Sequence, residues 1–266
     1  MNKIGQAISE FQSLQHISAE DTWINGLHPL GKLILTVFYV AVTVSFPKYE
    51  IPGLLVMAIY PLAVFLITDL SFKDSLRRLR VVLPLVMFLG ILNPIFDRRI
   101  LFTVGNIAVS GGVVSMITLM IKGILTVLAG YLLIATTSIE KICYALRLLY
   151  IPKTFVVVIL LIFRYVTVLL SEARRITQAY QLRAPNQKGV HHKVWGSLLG
   201  QMLLRSMDRA NEVYDSMQLR GFDGEFRIGK KKALSPADIL WPLLWILVLL
   251  FLRLFPVVQW IGSLFF

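Results

Sequence analysis

Two arginines in matched surroundings are the groups in this sequence best placed to do chemistry. Residues 173–184 and 210–221 are two copies of one pattern. With Arg183 set over Arg220, the copies agree at Ala173/Ala210, Gln181/Gln218, Leu182/Leu219 and Arg183/Arg220. Ile176/Val213, Ala179/Ser216 and Ala184/Gly221 are close substitutions. Each copy reads as a helix that ends in Leu-Arg-small and then meets a breaker, Pro185 in the first and Gly221 itself in the second. A guanidinium at a helix C-terminus faces the negative end of the helix dipole. It also offers five donors in a fork that fits carboxylates across an interface. Two such ends point to two docking points for two similar partners. The alternative is chance similarity between two Ala- and Arg-rich helices.

Other reactive constellations are sparse. The chain has no G-x-x-x-x-G-K-[ST] phosphate loop and no H-E-x-x-H or comparable Cys/His cluster, so no catalytic and no metal-ligating residue is assigned. His191 and His192 lie in a polar linker beside Gly189 and read as a solvated loop rather than a metal site. His28 precedes Pro29 at a helix start, where capping or hydrogen bonding is expected. Lys122 and Arg164 are charges inside apolar runs, which by default points to function. For Lys122, pairing with a backbone carbonyl or snorkelling is an equal alternative. The single cysteine, Cys143, excludes a disulfide framework and reads as packing.

The elements that must hold these groups are membrane helices. Hydrophobic residues make up 56% of the 266, only 16% are charged, and mean hydropathy is +0.71. That composition excludes an ordinary soluble domain. A formal charge of +12 would imply nucleic acid in a soluble chain, but in a polytopic membrane protein Lys and Arg collect on the cytoplasmic side. No nucleic-acid partner is expected. The first 30 residues lack an apolar core, so no cleavable signal peptide is expected and the first membrane helix serves for insertion.

Apolar runs follow in order. Leu33–Phe46 comes first, then Ile51–Thr68 with a kink expected at Pro61, then Val81–Phe96 ending at Asn93-Pro94, and Gly112–Ala135. A basic loop with Arg77, Arg78 and Arg80 separates the second and third. Ile100–Val109 alternates around Gly105-Asn106 and predicts a hairpin outside the bilayer. Ser138 caps a short amphipathic helix over Ile139–Tyr150. A long helix is expected from Thr154 to about Leu182. If its apolar half crossed the bilayer, Arg77, Arg78, Arg80, Lys141, Arg147 and Lys153 would face outward. If it stays on the inner side, the outward cations are Lys48, Arg98, Arg99 and Arg253, and the positive-inside bias favours this division. Lys193–Leu219 is amphipathic, with a stripe of Trp195, Leu199, Met202, Ser206, Ala210, Val213 and Met217. Ser206, Ala210 and Val213 are the positions where this helix is expected to cross the preceding one, because small residues allow close approach. Lying flat on the membrane is the alternative. Lys230–Lys232 forms an anchor, and Ser235-Pro236-Ala237-Asp238 starts the last span with an N-cap, an N1 proline and an N3 acid.

The reading is an all-α membrane protein with about five transmembrane helices, two long crossed amphipathic helices and one short amphipathic helix. Residues 1–136 form an N-terminal membrane region, 137–234 a cytoplasmic region and 235–266 a C-terminal span. The N-terminus and the paired helices are placed in the cytoplasm and the C-terminus outside.

These residues resemble the T component of energy-coupling factor (ECF) transporters, ABC-type importers of vitamins and transition-metal ions. The resemblance rests on Leu219-Arg220-Gly221-Phe222-Asp223-Gly224 after Arg205-Ser206-Met207-Asp208-Arg209-Ala210, on Gln181-Leu182-Arg183, and on His28-Pro29-Leu30-Gly31-Lys32. Phe163-Arg164-Tyr165 and the C-terminal span also carry it. It implies two crossed coupling helices, each ending in an Ala-Arg-Gly-like triplet whose arginine docks on one ATPase subunit. Here the triplets are Leu182-Arg183-Ala184 and Leu219-Arg220-Gly221, with Leu in place of Ala. The implied partners are two ABC ATPase subunits and a substrate-binding membrane subunit, either an S component or a cobalt-binding M-type subunit, in a prokaryotic cell membrane. The chain itself would bind no cofactor and catalyse nothing, since ATP and Mg belong to the ATPases.

Within the family, residues 205–210 and 219–224 are more similar to cobalt- and nickel-system members than to vitamin-sharing T components. Two other classes compete. A membrane enzyme would need acid, base or nucleophile residues clustered at one depth. A secondary transporter would need inverted repeats with broken helices at the midplane, whereas this repeat ends in arginines.

Overall fold

The computed structural model describes residues 22–68, 83–97, 100–104, 107–184, 189–226 and 235–255, together with Gly5. The basic loop 73–80, the Gly105-Asn106 turn, Pro185 and Lys230–Lys232 lie outside the described residues. In chain order the elements are α1 (Trp23–Gly26), α2 (Pro29–Val44), α3 (Ile51–Val56), α4 (Ile59–Thr68), α5 (83–90) and α6 (Leu92–Phe96). A hairpin follows, β1 (Ile100–Val104) and β2 (Ile107–Ser110), then α7 (Gly111–Thr136), α8 (Ile139–Leu148), α9 (Lys153–Arg183), α10 (His192–Leu219) and α11 (Pro236–Leu254). This is an all-α membrane protein that carries one small antiparallel hairpin, with Val104 opposite Ile107. By length and apolar composition, Ile51–Thr68, Gly111–Thr136, Lys153–Arg183 and Pro236–Leu254 can each cross a bilayer, while Pro29–Val44 is shorter. The described residues divide into two compact units, 22–137 with 235–255 and, separately, 138–226.

The first unit is organised on α7, which packs against α2, α3, α4 and α6, while α11 packs against α2 and α3. Its interior is large and apolar, with Leu35, Tyr39, Leu54, Met57, Leu132 and Leu249 fully buried. Tyr39, Tyr60, Trp245 and Trp241 form a chain of ring contacts 4.8–5.9 Å between centroids. Buried threonine hydroxyls inside are satisfied locally. The hydroxyls of Thr43, Thr118 and Thr136 each donate to the carbonyl four residues back at 2.8–2.9 Å. That habit suits a helix in hydrocarbon, where no water can take the proton.

The kink expected at Pro61 is a full break. Proline has no N–H and its ring collides with the carbonyl four residues earlier, so α3 and α4 separate at Met57 and Ala58. The freed Met57 carbonyl is not left bare, because the buried Tyr39 hydroxyl donates to it at 3.0 Å. Pro94 has a parallel effect, with α5 and α6 separated at Ile91. Beside it, Gly112 comes so close to this turn that an added Cβ would lie 2.4 Å from Pro94 Cα and 2.6 Å from the Asn93 oxygen. Only glycine fits there.

One end of this unit is tied by buried polar groups. His28 caps α2, its Nδ1 accepting from Leu30 N at 3.3 Å. The Asp238 carboxylate accepts from Ser235 N at 2.9 Å, and from His28 N at 2.7 Å, so one buried acid joins the starts of α11 and α2. Lys32 is also buried, and its ammonium donates to the Thr136 carbonyl at 2.9 Å and to Thr137 Oγ1 at 3.4 Å. A cation on the last carbonyls of α7 meets the negative end of that helix dipole. Lys122 resolves in favour of its carbonyl alternative. Its ammonium donates to Val44 O at 2.9 Å and Phe46 O at 2.5 Å.

In the second unit, Ser138 caps α8 by accepting from Lys141 N at 3.4 Å, and Cys143 is fully buried on the inner face of α8. That burial pushes its thiol pKa up and keeps it unreactive. α9 packs against both α8 and α10.

Candidate functional site: the paired helices α9 and α10

α9 and α10 are long because their sequences give no reason to stop. α9 runs 31 residues and α10 runs 28, with no proline or glycine in α9 after Lys153. α10 begins at His192, one residue before the sequence reading, because His191 serves as its N-cap and accepts from Lys193 N at 3.3 Å. The two helices are antiparallel neighbours. Glu172 of α9 meets Arg205 of α10, while Gly224, just beyond α10, lies against the Lys153 ammonium at the start of α9. At 1.5 Å per residue, Arg183 therefore lies about 16 Å beyond the Glu172–Arg205 contact in one direction and Arg220 about 22 Å beyond it in the other. The two arginine ends belong to opposite ends of the pair.

Their terminations differ. Gly221 has φ +77°, and the bonds Gly221 N to Gln218 O (2.9 Å) and Phe222 N to Met217 O (3.0 Å) make a Schellman cap. The first copy stops without a left-handed residue: Ala184 has φ −131° and donates to Tyr180 O at 3.0 Å. Both leucines stand in the open, Leu182 at 83% exposure and Leu219 at 90%, and Arg183 and Arg220 are exposed as well. Apolar side chains held out this far at helix ends are what a docking surface needs before its partner covers them.

The chain past Arg220 is folded back. Asp223 Oδ1 accepts from Glu225 N at 3.3 Å, and Glu225 pairs with Arg147 of α8 at 2.6 Å. The hydrogen bond from Arg147 holds the Glu225 carboxyl below the usual carboxylate range and raises the guanidinium in turn. Both side chains keep more than a third of their surface in solvent, so the pair orients the segment more than it stabilises it.

Where α9 and α10 meet, an ion pair stands beside a half-buried, mostly apolar column of α10. Glu172 uses Oε1 for Arg205 across the pair, and its Oε2 lies 3.8 Å from Arg175 on its own helix. Arg209 and Glu212 pair at 3.2 Å, at the i, i+3 spacing read from the sequence. A groove of about 430 Å³ opens here, lined by Val168, Glu172, Met202 and Ser206 among others. Of the crossing positions read from the sequence, Ser206 lines this groove and Val213 is half-buried, while Ala210 is exposed. The half-buried column on α10 is Val194, Leu198, Met202, Ser206, Val213 and Met217. Trp195 and Leu199, assigned to the stripe by spacing, are exposed. The N-terminal half of α10 has two adjacent apolar columns, and periodicity cannot choose between them. Glu172, Arg205, Arg147 and Glu225 were not singled out as contacts. For Glu172 and Arg205 the signal is opposite charge at positions that an antiparallel pair brings together, and for Arg147 and Glu225 it is opposite charge alone.

Residues 20–232 match the CbiQ family, described as cobalt transport protein. The chain belongs to the CbiQ family. Over 235 residues it is 25% identical to the energy-coupling factor transporter transmembrane protein EcfT of Leuconostoc gelidum subsp. gasicomitatum, covering 81% of this chain and 85% of that protein. It is also 28% identical over 114 residues to the nickel permease LarQ of Lactiplantibacillus plantarum, 40% of this chain and 42% of LarQ. The CbiQ match spans both units and includes α9, α10 and both arginine ends. This CbiQ-family chain is thus a multi-pass transport protein whose paired helices lie within the matched region.

Proposed function

We propose that the chain is the non-catalytic transmembrane coupling subunit, the T component, of an ATP-driven ECF importer in a prokaryotic cell membrane. The observation that carries this reading is the placement of two matched, exposed Leu-Arg ends at opposite ends of one antiparallel helix pair. A single partner would need one such end; two ends about 40 Å or less apart suit two copies of a similar subunit. Leu182-Arg183-Ala184 would dock one ABC ATPase and Leu219-Arg220-Gly221 the other, each guanidinium held by partner carboxylates. ATP and Mg would sit on those ATPases, and their closure would turn α9 and α10 as rigid levers. A substrate-binding membrane subunit, an S component or a cobalt-binding M-type subunit, would receive that motion. Cobalt or nickel is the proposed cargo, in keeping with the family description and with the LarQ relative. The paired helices and the N-terminus are assigned to the cytoplasm by the positive-inside bias, which also keeps the apolar half of α9 on the inner side.

The test is purification of the tagged chain from its native membrane in mild detergent. Recovery of ABC ATPases with a small membrane protein supports the reading, and the small protein names the substrate class. Recovery of the chain alone, stable and monodisperse, overturns it in favour of a secondary transporter or an enzyme.

A further inference from the structure

The contact between α9 and α10 is unlike the packing elsewhere in the molecule. α7 buries ten residues, among them Leu125, Leu128 and Leu132, whereas α10 buries none among the described residues. Helices held by interdigitated apolar side chains have one preferred crossing angle, because close packing resists rotation. α9 and α10 meet over an open groove, and α10 offers only half-buried side chains, so that constraint is weaker here. Among the described residues, the ion pair that joins the two helices is made by one carboxylate. Glu172 is three-quarters covered and spends its two oxygens on two arginines, Arg205 from the opposite helix and Arg175 from its own. Ser206 is small, so the groove beside the contact stays unfilled and leaves room for the helices to turn about it.

We infer that Glu172 is a positioning residue, the pivot that sets the angle between α9 and α10 and hence the separation of the Arg183 and Arg220 ends. Exposed ion pairs contribute little to stability, so the role is orientational: with Arg205 released, the pair samples a wider range of angles. For transport, this rests on the coupling role proposed above. A looser pivot lets the ATPases close without moving the substrate subunit to the same extent, so ATP is hydrolysed with less uptake per ATP.

The experiment separates the pivot from the coupling role. Spin labels on Leu182→Cys and Leu219→Cys, in a Cys143→Ser background, report the distance between the two ends in the purified full-length chain. Glu172→Gln is expected to broaden and shift that distribution, and the exchanged pair Glu172→Arg with Arg205→Glu is expected to narrow it again. An unchanged distribution in Glu172→Gln, or no recovery in the exchanged pair, overturns the pivot whatever the chain transports. In vesicles holding the chain with its copurified ATPases and membrane partner, loaded with Co²⁺ and then with Ni²⁺, Glu172→Gln is expected to lower uptake per ATP by about three- to tenfold. Full coupling with a broadened distribution would also overturn it. Failure of the wild-type chain to bind any ATPase would instead strike the coupling role and leave the distance result standing.

Discussion

The two units of this chain differ in how closely their helices pack. In residues 22–137 with 235–255, Tyr39, Leu54, Met57 and Leu132 meet one another, and even the carbonyl freed by Pro61 finds an internal donor. In residues 138–226 the long helices meet through an ion pair and a half-covered apolar column, α10 fully buries nothing, and Leu182, Leu203, Leu204 and Leu219 remain open. On the coupling role proposed above, the second unit is the one that partners would cover, whereas the first packs on itself. Substitutions in the first should therefore change folding, and substitutions in the second should change assembly.

The largest effect expected is in the second unit. Arg183→Ala with Arg220→Ala should leave an inserted, folded protein and abolish ATPase assembly or coupling, measured by copurification and ATP-dependent uptake. Full uptake in the double variant would end the docking assignment. In the first unit, Gly112→Ala forces a methyl into the backbone at Pro94 and should cost about 3 kcal/mol, read as a lower unfolding temperature in detergent. Lys32→Met leaves the Thr136 carbonyl without its buried donor and should cost about 1–3 kcal/mol in the same assay. If either left stability unchanged while impairing assembly, the division between the units would fail.

Smaller effects sharpen the contrast between the two arginine ends. Gly221→Ala places a side chain at φ +77° and should destabilise that end of α10 by about 1 kcal/mol, seen as faster amide exchange around Met217–Phe222. Ala184→Gly, where φ is already negative at −131°, should change exchange far less. The smallest effect is the Arg147–Glu225 tie. Because the folded carboxyl lies below its ordinary value near 4.5, the tie is fully present above that pH and is lost as pH falls through the depressed value. Carboxyl carbon NMR of Glu225 should show a midpoint below 4.5 that returns upward in Arg147→Gln.

Much of this was legible because it depends on neighbours in sequence. The Ser138 cap, the Asp238 acid at the start of α11, the hairpin around residues 100–110 and the Arg209–Glu212 pair each need contacts a few residues away. The repeated Gln-Leu-Arg ends are likewise visible in the chain itself. Lys122 shows the limit. A charge in an apolar run announces itself, but whether it serves a substrate or two carbonyls at the end of α2 depends on where Val44 and Phe46 come to lie.

The sequence by itself determined the membrane class, the helices, their caps and the two arginine ends, because composition, period and local hydrogen bonding act within a turn or two. Only the tertiary structure decided that α9 and α10 run antiparallel, that Glu172 rather than Ala210 stands at their contact, and that one column of α10 is covered and its neighbour exposed. Those outcomes depend on pairs of residues far apart in the chain, and no local pattern can choose which surfaces will meet.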